Sequence, residues 1–85
     1  MEPFEVRITR RATKDIDTLS PRLREKLKSI LVEVIAKNPY AGKKLHGELS
    51  GSFSYRLNFK DRVVYSIDED KRIVYVERAR THYGD

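Results

Sequence analysis

SFSYRLNFKDRVVYSIDEDKRIVYVERA, residues 52–79, changes its hydropathy pattern along its length. SFSYRLNF alternates: Phe53, Tyr55, Leu57 and Phe59 fall on one side, Ser54, Arg56 and Asn58 on the other. Alternation predicts a half-buried strand, because successive side chains of an extended backbone point to opposite faces. After Lys60-Asp61 comes RVVYSID, and after the acidic turn Asp68-Glu69-Asp70-Lys71 comes RIVYVERA. Val63-Val64-Tyr65 and Ile73 to Val76 are apolar on both faces, which predicts interior strands. Three consecutive strands with short polar turns set the fold class.

The chain before this stretch supplies the other layer. Residues 4–9, FEVRIT, alternate and predict a further strand, with Phe4, Val6 and Ile8 on its buried side. RRATKDIDTL places Ala12, Ile16 and Leu19 at helical spacing, over about residues 10–19. In SPRLREKLKSILVEVIAKNPY, Ser20 is a helix cap and Pro21 suits a first turn. Leu23, Leu27, Ile30, Leu31, Val34 and Ile35 then form one apolar stripe. Asn38-Pro39 ends the helix, because a residue before proline avoids the helical region. AGKKLHGELSG reads as a loop by its glycines. The sequence predicts an α+β fold ordered β-α-α-β-β-β: a helical hairpin packed on one face of a mostly antiparallel four-stranded sheet. Residues 1–85 are expected to form a single domain.

Composition narrows the functions. An 85-residue chain buries a modest core and has room for one surface site. It has no cysteine, and His46 and His82 are far apart, so neither a metal site nor a cofactor is expected. MEPFEVRITRR lacks the apolar run of a signal peptide, and no stretch approaches a membrane span, so a cytoplasmic location without a membrane partner is expected. Eighteen Lys and Arg against thirteen Asp and Glu give a net charge of +5. A small basic domain attracts polyanions, of which nucleic acid is the commonest in a cytoplasm.

If the helices cover one sheet face, the other is partly open and is the expected place for the cations. Arg56 lies opposite the apolar set of its own strand, and Arg62 shares its side if the connection between them has three residues or a bulge. A tight two-residue turn at Lys60-Asp61 separates them. Arg78 and Arg80 are one repeat apart and are expected to point the same way. His82 and Tyr83 follow. Arginines with a histidine and a tyrosine suit metal-free RNA cleavage, in which a ribose 2′-hydroxyl attacks the adjacent phosphorus. Histidine moves the protons, arginine forks bind the phosphate, and tyrosine stacks on a base. The same residues also suit a non-catalytic RNA platform.

LSGSFSYRLNFKDRVVYSID and the later RTHYG carry a resemblance. The chain resembles the RelE/ParE toxin superfamily, and within it the RelE and YoeB-like mRNA interferases of type II toxin–antitoxin systems. The resemblance implies cleavage of mRNA in the ribosomal decoding site and neutralisation by a cognate acidic antitoxin. Arg62 falls on the arginine that contacts the scissile phosphate, and Arg56 on the basic position of the preceding strand. His82 falls on the histidine proposed as general acid, and Tyr83 on the tyrosine beside it. One departure stands out: the glutamate of YoeB-like members, proposed as general base, falls on Lys43. With Lys44 and His46 after it, this loop resembles a RelE-like site where lysines replace the carboxylate. Lys43, Lys44, His46, Arg78 and Arg80 are therefore expected to bind RNA. Two other functions fit the fold: ParE-like inhibition of DNA gyrase, and RNA binding without catalysis.

Overall fold

A computed structural model describes residues 2–47 and 50–81. The chain opens with β1 (Glu5–Ile8) and enters α1 (Arg10–Asp17) at Thr9, whose Oγ1 accepts a hydrogen bond from the Ala12 amide at 3.1 Å. Thr18 closes α1, and the cap of the next helix lies two residues later. Ser20 Oγ accepts from the Leu23 amide at 3.3 Å, and Pro21 occupies the first turn of α2 (Pro21–Ile30). Both caps satisfy amides that have no partner inside their helix.

Beyond Ile30 the helix widens into a π turn, Leu31–Ile35, where the Ala36 amide reaches back five residues to the Leu31 carbonyl at 2.8 Å. Leu27, Ile30, Leu31 and Ile35 remain buried through this change. The proline brake then acts as the sequence implies: Asn38 Oδ1 accepts from the Tyr40 amide at 3.3 Å and starts a 3₁₀ turn, Pro39–Ala41.

A short strand follows, β2 (Lys43–Lys44), and then the meander β3 (Ser52–Arg56), β4 (Arg62–Asp68) and β5 (Ile73–Thr81). The sheet order is β1-β5-β4-β3-β2. β1 and β5 run parallel, while the remaining neighbours are antiparallel. The helices pack on one face. β4 and β5 are interior, as their two-sided apolar pattern predicts. Val63, Tyr65, Val74 and Val76 from these strands meet Leu27 and Ile35 in the core. Among the described residues no helix is long and apolar enough to cross a membrane.

Two sequence expectations need correction. The sheet has five strands rather than four, because Lys43 and Lys44, read as loop, pair with Ser54 and Phe53. A two-residue strand is too short to leave a periodic signature. The alternation beginning at Phe53 also stops at Arg56. Leu57 is buried, but Phe59 is 87% exposed instead of facing the core. The cause is Asn58: its Oδ1 accepts from the amides of Lys60 at 2.9 Å and Asp61 at 2.6 Å, folding the backbone out of the strand.

Candidate functional site

The loop from Leu57 to Asp61 decides where the arginines lie. The Asp61 carbonyl accepts from the amides of Leu57 at 2.9 Å and Asn58 at 3.3 Å, and the Asn58 amide side chain donates to the buried Asp61 carboxylate at 3.2 Å. This five-residue closure brings Arg56 directly opposite Arg62 in the β3–β4 ladder. Directly opposed residues on antiparallel strands share a face, with Cβ atoms about 4.5–5.5 Å apart. Like charges so placed repel, and among the described residues neither arginine has an ion-pair partner. A pair of this kind suits an anion, whose charge would offset both guanidinium groups.

The anion would enter a cleft of about 580 Å³. β2 is so short that Tyr55 and Arg56 have no strand beyond them, and the cleft lies along this part of β3. Lys26 lines it from α2, Lys43 from β2, and Arg56, Arg62 and Phe59 from the hairpin. No acidic residue is among the described residues that line it.

Lys43 is placed by a buried hydroxyl. Tyr65 Oη donates to the Pro39 carbonyl at 2.6 Å and accepts from the Gly42 amide at 3.1 Å. Burial pushes this hydroxyl up to about 12, partly opposed by the Gly42 hydrogen bond, so it stays protonated and able to donate. The approach leaves no room for a side chain at position 42: a Cβ there would come within 2.2 Å of Tyr65 Oη and 2.8 Å of the Ser54 carbonyl. Phe53 stacks on the Tyr65 ring, with centroids 5.8 Å apart. The strand that supplies the site is thereby tied to the sheet.

The other expected residues are distributed unevenly. Lys44 pairs with Phe53, and neither it nor the exposed His46 lines the cleft. Arg78 lies on the helix side, where its Nε donates to Asp15 of α1 at 2.7 Å. The same carboxylate accepts from the Ala79 amide at 3.1 Å. The β4–β5 register shifts on either side of the Val64–Arg78 pair, and Arg78 and the buried Ala79 both meet the helix side, so simple alternation along β5 does not carry Arg78 to the open face. Arg80 continues β5, and the backbone of Thr81 pairs with Arg62. His82 and Tyr83 lie outside the described residues. Glu77 is a carboxylate on the open face, but it accepts from Ser52 Oγ at 3.1 Å and Ser66 Oγ at 3.5 Å. Ser52 is four residues, about 13 Å of strand, from Arg56, so Glu77 is directed away from the arginine pair.

A family model for ParE-like toxins of type II bacterial toxin–antitoxin systems matches residues 6–84. The chain belongs to this family. It is 32% identical to Toxin RelG of Mycobacterium tuberculosis over 78 residues, covering 91% of this chain and 88% of that one. Its fold matches a chain of the M. tuberculosis toxin–antitoxin complex RelBE2, with a TM-score of 0.86, 32% identity and coverage of 100% and 97% of the two chains. A mutant form of E. coli toxin RelE in the free state matches with a TM-score of 0.79 and 27% identity, over 93% of this chain and 83% of that one. This protein is thus a ParE-like toxin with relatives of the RelE type.

Sequence reasoning missed Lys26 and Phe59. Nothing in the sequence marks Lys26 among the other charged residues of α2. Phe59 had a legible signal, since Asn58 and Asp61 three residues apart are typical of a turn stabilised by side-chain hydrogen bonds.

Proposed function

We propose that this toxin is an endoribonuclease that cleaves mRNA in the ribosomal decoding site and is neutralised by an acidic antitoxin. The observation that supports this reading is the Arg56–Arg62 pair, opposed across the ladder in a cleft that Lys26 and Lys43 also line. In the reaction a 2′-oxygen attacks the adjacent phosphorus and the bond to the 5′-oxygen breaks. A 2′,3′-cyclic phosphate and a free 5′-hydroxyl result. One proton leaves the 2′-hydroxyl and one reaches the departing oxygen. The phosphorane between these steps carries extra negative charge, which the paired guanidinium groups and the lysines offset.

No carboxylate is among the described residues lining the cleft, which fits a mechanism weighted towards phosphate contacts rather than a strong base. Thr81, the last described residue of β5, pairs with Arg62, and His82 and Tyr83 follow it in the sequence. We assign His82 the proton transfer to the leaving oxygen and Tyr83 the contact with a base. Relatives of this chain are known as toxin–antitoxin complexes. In this protein an acidic partner covering the cationic cleft would block the substrate, and charge would steer its association. The toxin would act in the cytoplasm, where translation takes place.

Addition of the protein to a cell-free translation reaction tests this reading. Messenger RNA should be cut only while it is being translated, and supercoiled DNA should stay intact. Intact mRNA accompanied by gyrase-dependent DNA breaks would replace the endoribonuclease with a gyrase poison. Intact mRNA that still binds the protein would leave a non-catalytic RNA-binding module.

A further inference from the structure

Phe59 is the most exposed large hydrophobic residue described, at 87%, although the core lies next to it at Leu57. Its ring has no aromatic partner among the described residues, whereas Tyr40 and Phe53 pack edge to face and Phe53 stacks on Tyr65. The hydrogen bonds between Asn58 and Asp61 fix the loop that carries it, so the ring is presented from an ordered backbone. It lines the same cleft as the arginine pair and Lys26. An exposed aromatic ring beside a cationic groove is the arrangement by which proteins hold single-stranded nucleic acid, the cations following the phosphates and the ring taking a base.

We propose that Phe59 is a stacking platform for an unpaired RNA base next to the scissile phosphate, with Lys26 holding the phosphate beyond it. This inference rests on RNA being the substrate of the cleft. It assigns recognition to the hairpin loop, separately from the proton-transfer groups. Stacking accepts any base, so Phe59 contributes affinity and register along the strand more than sequence choice.

The chain has no tryptophan, so Phe59→Trp introduces a single indole reporter at the site. The antitoxin-free toxin would be titrated with a fluorescein-labelled adenine hexanucleotide, methylated at every 2′-oxygen so that it cannot be cleaved. Tryptophan emission should fall saturably, in step with the rise in probe anisotropy. Phe59→Ala should weaken binding roughly 5- to 150-fold, the range for one stacked base. Phe59→Leu should weaken it nearly as much, because it keeps an apolar side chain but lacks a π-face. A ring this exposed contributes little to the fold, so these variants should melt with the wild type. Wild-type affinity in Phe59→Ala or Phe59→Leu would overturn the inference and leave the ring to a protein partner, while the cleavage reading would stand. Probe binding without quenching in Phe59→Trp would overturn it equally. Failure of the wild type to bind the probe would also overturn it, and the fate of mRNA in the translation reaction would then decide the function separately.

Discussion

Tyr65→Phe removes one oxygen atom from the interior and should have two separable effects. In the wild type that oxygen donates to the Pro39 carbonyl at 2.6 Å and accepts from the Gly42 amide at 3.1 Å. Pro39 is fully buried, so its carbonyl loses its donor where water does not readily replace it. An orphaned buried acceptor costs about 1–3 kcal/mol and a lost hydrogen bond about 1 kcal/mol, so the variant should be about 2–4 kcal/mol less stable at pH 7. For a domain of this size, 2 kcal/mol corresponds to a fall in Tm of roughly 8–16 °C. The second effect is pH dependence. The folded-state pKa of Tyr65 is about 12, above the ordinary tyrosine value near 10. A raised pKa contributes stability that is complete below pH 10 and is lost as pH rises towards 12. Over that window the wild type should lose about 2–3 kcal/mol that the variant does not. Urea unfolding of both proteins at pH 7, 10 and 11 measures this, since other titrating groups are common to the two. The stability gap should narrow with rising pH. A gap under about 0.5 kcal/mol at pH 7, or one constant with pH, would refute the role given to the hydroxyl.

Gly42→Ala should be strongly destabilising, because its Cβ would come within 2.2 Å of Tyr65 Oη. Combined with Tyr65→Phe it should cost less than the sum of the two, with part of the cost remaining because the Ser54 carbonyl, 2.8 Å away, does not move aside; additive costs in urea unfolding would contradict this contact. Asp15→Ala removes the partner of Arg78 and of the Ala79 amide at a site where both side chains are largely covered. A loss of about 1–3 kcal/mol in thermal melting is expected, and an unchanged melt would show that the end of β5 does not depend on α1. Binding of single-stranded RNA should weaken with salt, with a logarithmic slope of up to about −3 for four phosphate contacts. Lys26→Ala and Lys43→Ala should each reduce its magnitude by about 0.7, and an unchanged slope would remove that lysine from the site.

The strands and helices were legible because their signals are local. Ser20-Pro21 and Asn38-Pro39 bound a helix by backbone chemistry, and the apolar runs at Val63–Tyr65 and Ile73–Val76 mark interior strands without any knowledge of their partners. The parallel pairing of β1 with β5 joins residues nearly seventy positions apart and leaves no local trace. The same limit applies to the site. That Arg56 and Arg62 meet depended on the length of one connection, which alternation alone does not fix; the Asn58–Asp61 turn fixes it. Arg78 read as a cation of the open face because its acceptor, Asp15, lies on another element. Lys43 was visible as a charge, but its place in the cleft comes from a two-residue strand held by a tyrosine more than twenty residues away.

The central claim is that the paired arginines stabilise charge on a phosphate undergoing cleavage, and Arg62→Ala tests it most directly. The variant should keep the wild-type melting curve, since Arg62 lies outside the apolar core and its opposition to Arg56 is repulsive. Single-turnover cleavage of a translated mRNA should slow by about 10²–10³, the effect of removing one preorganised group from a developing negative charge. A folded Arg62→Ala protein that cuts mRNA at the wild-type rate would contradict the claim.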